Sequence, residues 1–177
     1  MDKKELIQSI NKLNDEICKL IEPNIREIIE TYVKDEKSYN LIKRKTDIKG
    51  SNGFYMIFSD NISFTKTGCK IQYNQKSFYC VYRGHSYHTK ERLFSHLFYE
   101  VNSEYQNCMK IVLNSKKYNI NIEEQTLYLN KEKTSVDFPK GEWIVIRIPL
   151  DNSKQAIREM FETVFDNKYG KPVFSEK

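Results

Sequence analysis

The stretch "EWIVIRIPL", residues 142 to 150, constrains the chain most. It is nearly all apolar and rich in β-branched residues, yet far too short to cross a bilayer as a helix. Such a run reads as a buried strand at the centre of a sheet. The other elements must therefore supply its neighbours in the sheet and the helices that cover it.

Further strands lie upstream. "GFYMIF", from Gly53, is short, aromatic and apolar. "NISFTKTGCKIQY" alternates around Thr67 and Gly68, which predicts a hairpin over 60 to 75. "SFYCVY", residues 77 to 82, is another strand and ends at Arg83 and Gly84. Between 104 and 130, "NCMKIVL", "KYNINI" and "TLYL" alternate more weakly and predict an inserted β meander.

Helical patterning frames these strands. Leu6, Ile10, Leu13, Ile17 and Leu20 alternate spacings of four and three, an apolar stripe at heptad period. Pro23 interrupts it, and Ile25, Ile28, Ile29, Tyr32 and Val33 mark a second helical run. Two uses of the first stripe stay open: packing on the core, or the seam of a dimer. A short helix is expected around Tyr39 to Ile42. Thr89 is placed to cap a helix from Lys90 to about Val101, with Leu93, Leu97, Phe94 and Phe98 as its buried stripe. Asp151 or Asn152 would cap a last helix from Ser153 to Asp166, with Ile157, Met160, Phe161 and Val164 inward. The expected fold is α+β, a small mixed or antiparallel sheet flanked by helices. An N-terminal helical segment spans 1–49, and the main domain spans 50–177 with an insertion at about 100–140.

Composition narrows the function classes. At 177 residues one domain is expected, and 12 Tyr with 10 Phe supply core area despite a hydrophobic fraction of 39%. A net charge of +5 permits anionic partners without specifying one. Cys18, Cys69, Cys80 and Cys108 form no C-x-x-C pair, which reads as free thiols in a reducing cytoplasm. No apolar run is long enough for a membrane span, and "MDKKELIQSI" is too polar for a signal peptide. The Lys, Asn and Ile bias fits an AT-rich bacterial or phage genome.

The chemistry-bearing residues sit around "VYRGHSYHTKERLFSHLF", residues 81 to 98. Arg92 and His96 are four apart, so one helix face presents both. In chain order, the features are Gly53-Phe54-Tyr55 on a strand, Tyr82-Arg83-Gly84 on a strand, and Arg92 with His96 on a helix. A strand, a helix with Glu159 and Glu162, and the tail Pro172-Val173-Phe174-Ser175 follow. This order resembles the GIY-YIG nuclease superfamily, "GFY" standing for its first triplet and "YRG" for its second. The 27-residue separation of Tyr55 from Tyr82 looks like the widened arrangement of the branch that contains some Type II restriction enzymes. Arg83 stands where that family usually has an aliphatic residue, and Ser175 where it has asparagine.

The resemblance implies a metal-dependent DNA endonuclease, restriction-like, with Tyr55, Tyr82, Arg92, His96 and Glu162 as catalytic residues. Glu162, or alternatively Glu159, would hold one Mg²⁺ or Mn²⁺. One tyrosine, not specified by the sequence, would activate or position the water. Arg83, His85, His88, Lys90 and Lys110 are the candidate DNA contacts, duplex DNA and a second copy of the chain are the expected partners, and no nucleotide cofactor or membrane is expected. The rival readings are a mobile-element or repair nuclease, and a catalytically silent nucleic-acid-binding module of the same fold.

Overall fold

The computed structural model describes residues 2–43, 45–60, 68–98, 142–173 and 175. Five strands form one sheet in the order β1-β5-β2-β4-β3, and every pair is antiparallel. They are β1 (Tyr39–Leu41), β2 (Gly53–Ser59), β3 (Lys70–Tyr73), β4 (Lys76–Ser86) and β5 (Trp143–Pro149). Among the described residues, three α-helices accompany them: α1 (Lys3–Lys34), α2 (Thr89–Phe98) and α3 (Gln155–Tyr169). β5 lies between β1 and β2, as its apolar run requires. The meander expected at 104 to 130 lies outside the described residues.

Each face of the sheet has its own core. Phe54, Met56, Phe58, Cys80, Ile144, Ile146 and Ile148 point to one side, where Ile25 and Ile29 of α1 and Phe161, Val164 and Phe165 of α3 cover them. Tyr55, Ile57, Trp143 and Val145 point to the other, against Leu93 and Leu97 of α2. This is the period-two alternation of strands. It breaks once, at a bulge in β4: Ile57 pairs with Tyr82 but Phe58 with Cys80, so Val81 has no partner in the ladder. Without the bulge, Tyr82 would share a face with Cys80. With it, Tyr82 turns to the α2 side and joins Tyr55.

Several expected elements differ. The N-terminus is one helix of 32 residues, not two, with Pro23 inside it. Proline removes one rung of the helix ladder, and Pro23 is exposed, where water can take the orphaned carbonyl. Only the second half of α1 packs on the body; Leu6, Ile10, Leu13, Ile17 and Leu20 are 41–77% exposed. Residues 39–41 are a strand, because their backbone pairs with Ile144 to Ile146 of β5. The first arm and the turn of the hairpin expected around Thr67 and Gly68 lie outside the described residues, while β3 and β4 join through Asn74 and Gln75, with φ of 48° and 64°, the left-handed pair of a tight two-residue hairpin.

Two helix boundaries also shift. α3 begins at Gln155 behind Lys154, with no side-chain cap, and it buries Arg158 while Ile157 is 39% exposed. Thr89 opens α2, but its hydroxyl exchanges hydrogen bonds with the backbone of Ser51 (2.5 and 3.2 Å), tying the helix start to the chain before β2. Cys69 and Cys80 are buried free thiols, and burial pushes Cys69 up to about 12.

Candidate active site

Tyr55 is the hub. It lies in the middle of β2, paired with Gly84 of β4 and Arg147 of β5, and is wholly buried. Its hydroxyl lies 3.2 Å from Nε2 of His96. Arg92 and Tyr82 lie close enough to act on the same hydroxyl electrostatically. The rings are packed as well: Tyr55 and Tyr82 stack with centroids 6.1 Å apart, and Tyr82 meets His96 at 4.4 Å.

Gly84 makes this packing possible. A Cβ there would stand 2.8 Å from the Tyr55 hydroxyl and 3.0 Å from Cε1 of Tyr82. No side chain fits beneath two tyrosine rings held that close. The glycine of the "YRG" triplet is therefore a steric necessity of the pair. Both tyrosines were expected at strand ends; both lie within their strands, brought side by side by register and bulge.

The acidic side of the site comes from α3, which packs on the opposite face of the sheet. Glu162 accepts from Arg83 Nη1 at 2.7 Å through Oε2, while its Oε1 lies 3.9 Å from Nε2 of His85. Asp166, one turn on, takes Nε and Nη2 of Arg83 at 3.0 and 2.6 Å. The main chain of Arg83 also donates to Ser175 Oγ at 3.0 Å, which docks the C-terminal tail on β4. Glu162 stays near enough to the aromatic cluster that its charge helps raise both tyrosine hydroxyls. Burial is the larger cause, acting most strongly on Tyr55, while Arg92 opposes it at both rings. Neither tyrosine is a phenolate at neutral pH.

The structure sorts the remaining candidates. Glu159 is exposed and accepts from Gln155 at 2.7 Å, one turn outside the cluster. Arg83, expected at a DNA phosphate, is instead half-buried between two carboxylates. His85 is half-buried beside Glu162, and its Nδ1 has no hydrogen-bond partner among the described residues. Burial pushes its imidazole below the usual value; Arg158, Arg92 and Arg83 push the same way against Glu159. His88 and Lys90 are exposed, as DNA contacts would need to be. Lys110 lies outside the described residues.

Two functional neighbours escaped the sequence reading. Asp166 completes the Arg83 fork. Its signal was present: an arginine where an aliphatic residue is usual needs an acid, and Asp166 follows Glu162 by one helical turn. Arg158 is buried, donates to Ser153 O at 2.5 Å and lies 3.6 Å from the Tyr87 ring, fixing the loop after β4. Nothing in its local pattern separated it from a surface arginine.

A divalent cation fits this donor set in one way. No group of three His, Cys, Asp or Glu side chains gathers into a metal site among the described residues. Both Asp166 oxygens serve Arg83, so Glu162 is the carboxylate placed for an ion. A single carboxylate is a hard oxygen ligand of the kind Mg²⁺ or Mn²⁺ takes, and water and phosphate would have to complete the shell. No family model matches the chain, and neither a curated protein nor a solved structure does. Among the described residues, no helix is long and apolar enough to cross a membrane.

Proposed function

We propose that this chain is a metal-dependent DNA endonuclease of GIY-YIG type, with a restriction-like role. One observation carries the reading. Tyr55, Tyr82, Arg92 and His96, from two strands and a helix, share one set of contacts, and Glu162 lies within electrostatic reach of both tyrosines. The layering supports the same reading, since the two triplets occupy adjacent antiparallel strands with the glutamate on the last helix.

The division of labour follows from burial. Arg92 forks onto the scissile phosphate, where its planar donors match two oxygens. Tyr82 is the less deeply buried of the two tyrosines, and its hydroxyl is the one assigned to position the attacking water. Tyr55 is wholly buried and acts behind it, orienting Arg92 and Tyr82. His96 Nε2, 3.2 Å from the Tyr55 hydroxyl, fixes its rotation. Glu162 would hold the cation, which when bound supplies charge stabilisation at the phosphate.

The second copy of the chain is proposed as partner through α1. Ile10 and Ile17 occupy a positions, and Leu6, Leu13 and Leu20 d positions, the pairing that favours a parallel two-stranded coil. A dimer would place two sites on one duplex.

The reading is tested by incubating supercoiled plasmid and phage DNA with the protein and Mg²⁺. Discrete fragments that vanish with EDTA are expected, and discreteness marks sequence-specific over structure-specific cutting. Salt-dependent binding without cleavage of duplex, branched or single-stranded DNA would replace the nuclease with a silent binding module.

A further inference from the structure

The proposed site does not use a cavity of about 320 Å³ on the same face of the sheet. Arg147 and Val145 of β5 form its floor, Leu93 of α2 one wall, and Lys37 and Lys49 part of its rim. Arg147 is the cross-strand partner of Tyr55, so both side chains rise from one face, one strand apart, about 4.8 Å. Leu93 is the residue after Arg92. The cavity floor thus lies one strand from Tyr55, on the same face.

Its charge is one-sided. Three of its lining residues are cationic, and none of those described is acidic. The Arg147 guanidinium donates to the Ser51 hydroxyl, a neutral group, rather than to a carboxylate. Lys37 and Lys49 are exposed and reach in from the rim. A half-buried arginine supported by a neutral hydroxyl, with two lysines beside it, calls for an anion. Ile42, Ile48 and Val145 add an apolar wall, which suits a ring more than a bare ion. The volume is at the small end for a ligand pocket, the size of one nucleotide.

We infer that this cavity binds the sugar–phosphate unit of the DNA strand next to the one that is cut, with Arg147 on its phosphate and Lys37 and Lys49 on the flanking backbone. This rests on the nuclease reading for the strand, but not for the phosphate. The groove then sets how far the strand runs past Tyr55.

The test is duplex-oligonucleotide binding by fluorescence anisotropy in EDTA, over a range of salt concentrations, with plasmid cleavage in Mg²⁺ measured beside it. Each lost phosphate contact lowers the steepness of log K against log salt by about 0.9. Arg147→Gln and the double variant Lys37→Gln/Lys49→Gln should each flatten the slope by about one or more, whereas Lys12→Gln on α1 should not. The two lysines are exposed, so the double variant reads the groove even if Arg147→Gln unfolds. Flattening without any wild-type cleavage keeps the groove and removes the nuclease. Cleavage with unchanged slopes in both groove variants removes the groove and keeps the nuclease. Variant-sensitive binding of free deoxynucleoside monophosphate, with no binding of the oligonucleotide, would overturn the strand assignment.

Discussion

At the scale of single residues, Gly84 and His85 give the sharpest expectations. Gly84→Ala forces a methyl group against two rigid rings, and overpacking of this kind costs about 1–3 kcal/mol. Urea unfolding should show that loss, and cleavage should fall with it because Tyr55 and Tyr82 must part. His85 supplies a pH dependence. Its folded pKa is depressed, so the unfolded chain takes up the proton first as pH falls. The stability this neutral histidine contributes is complete above the ordinary value of 6.5 and is lost as pH drops below it towards the folded value. His85→Gln should flatten the wild-type decline in thermal midpoint between pH 7 and pH 5; an unchanged decline would assign it elsewhere. That Arg92 and His96 share a helix face was legible from their four-residue spacing, which is short-range information. The Arg83 fork onto Asp166 was not, since an ion pair between residues 83 apart is a property of tertiary packing.

At the scale of elements, the strands were more legible than their joints. β5 and β2 announce themselves by apolar runs, whereas β1 is three residues long and exists only because β5 offers it an edge. The Asn74-Gln75 turn lacks glycine, so no glycine marked it in the sequence. The bulge at Val81 carries no local mark, yet it decides which face Tyr82 joins. α1 shows the opposite case, a stripe plain in the sequence whose use only the fold narrows. Because its first half stands clear of the body, Leu13→Glu should leave the monomer folded. Burying a leucine contributes about 1.5–3 kcal/mol and the dimer loses one from each copy, so the variant should weaken dimerisation by about a hundredfold or more in sedimentation velocity. A wild-type chain that stays monomeric at all concentrations would remove the coiled-coil seam.

At the scale of the whole molecule, the described residues form a sheet with helices on both faces, and Tyr55 lies on its central strand. α1 and α3 cover one face, α2 the other, and the site forms where α2 and α3 approach the far end of β4. Glu162 and the Tyr55–Tyr82–Arg92–His96 cluster thus come from opposite layers, and Arg83 holds Glu162 on its own side of the sheet. The α+β class was readable from the order of periodicities alone. The side on which each catalytic group stands was not, since it depends on register and on one extra residue in β4. The central claim is that Glu162, not Glu159, completes a metal-dependent cutting site with Tyr82 and Arg92. It is tested most directly by plasmid cleavage in Mg²⁺ with wild type, Glu162→Gln and Glu159→Gln side by side, all checked for native circular dichroism. Wild type and Glu159→Gln should cut at similar rates, and Glu162→Gln should lose at least two orders of magnitude, about the loss of a key transition-state contact. Full activity in a folded Glu162→Gln protein would contradict the account.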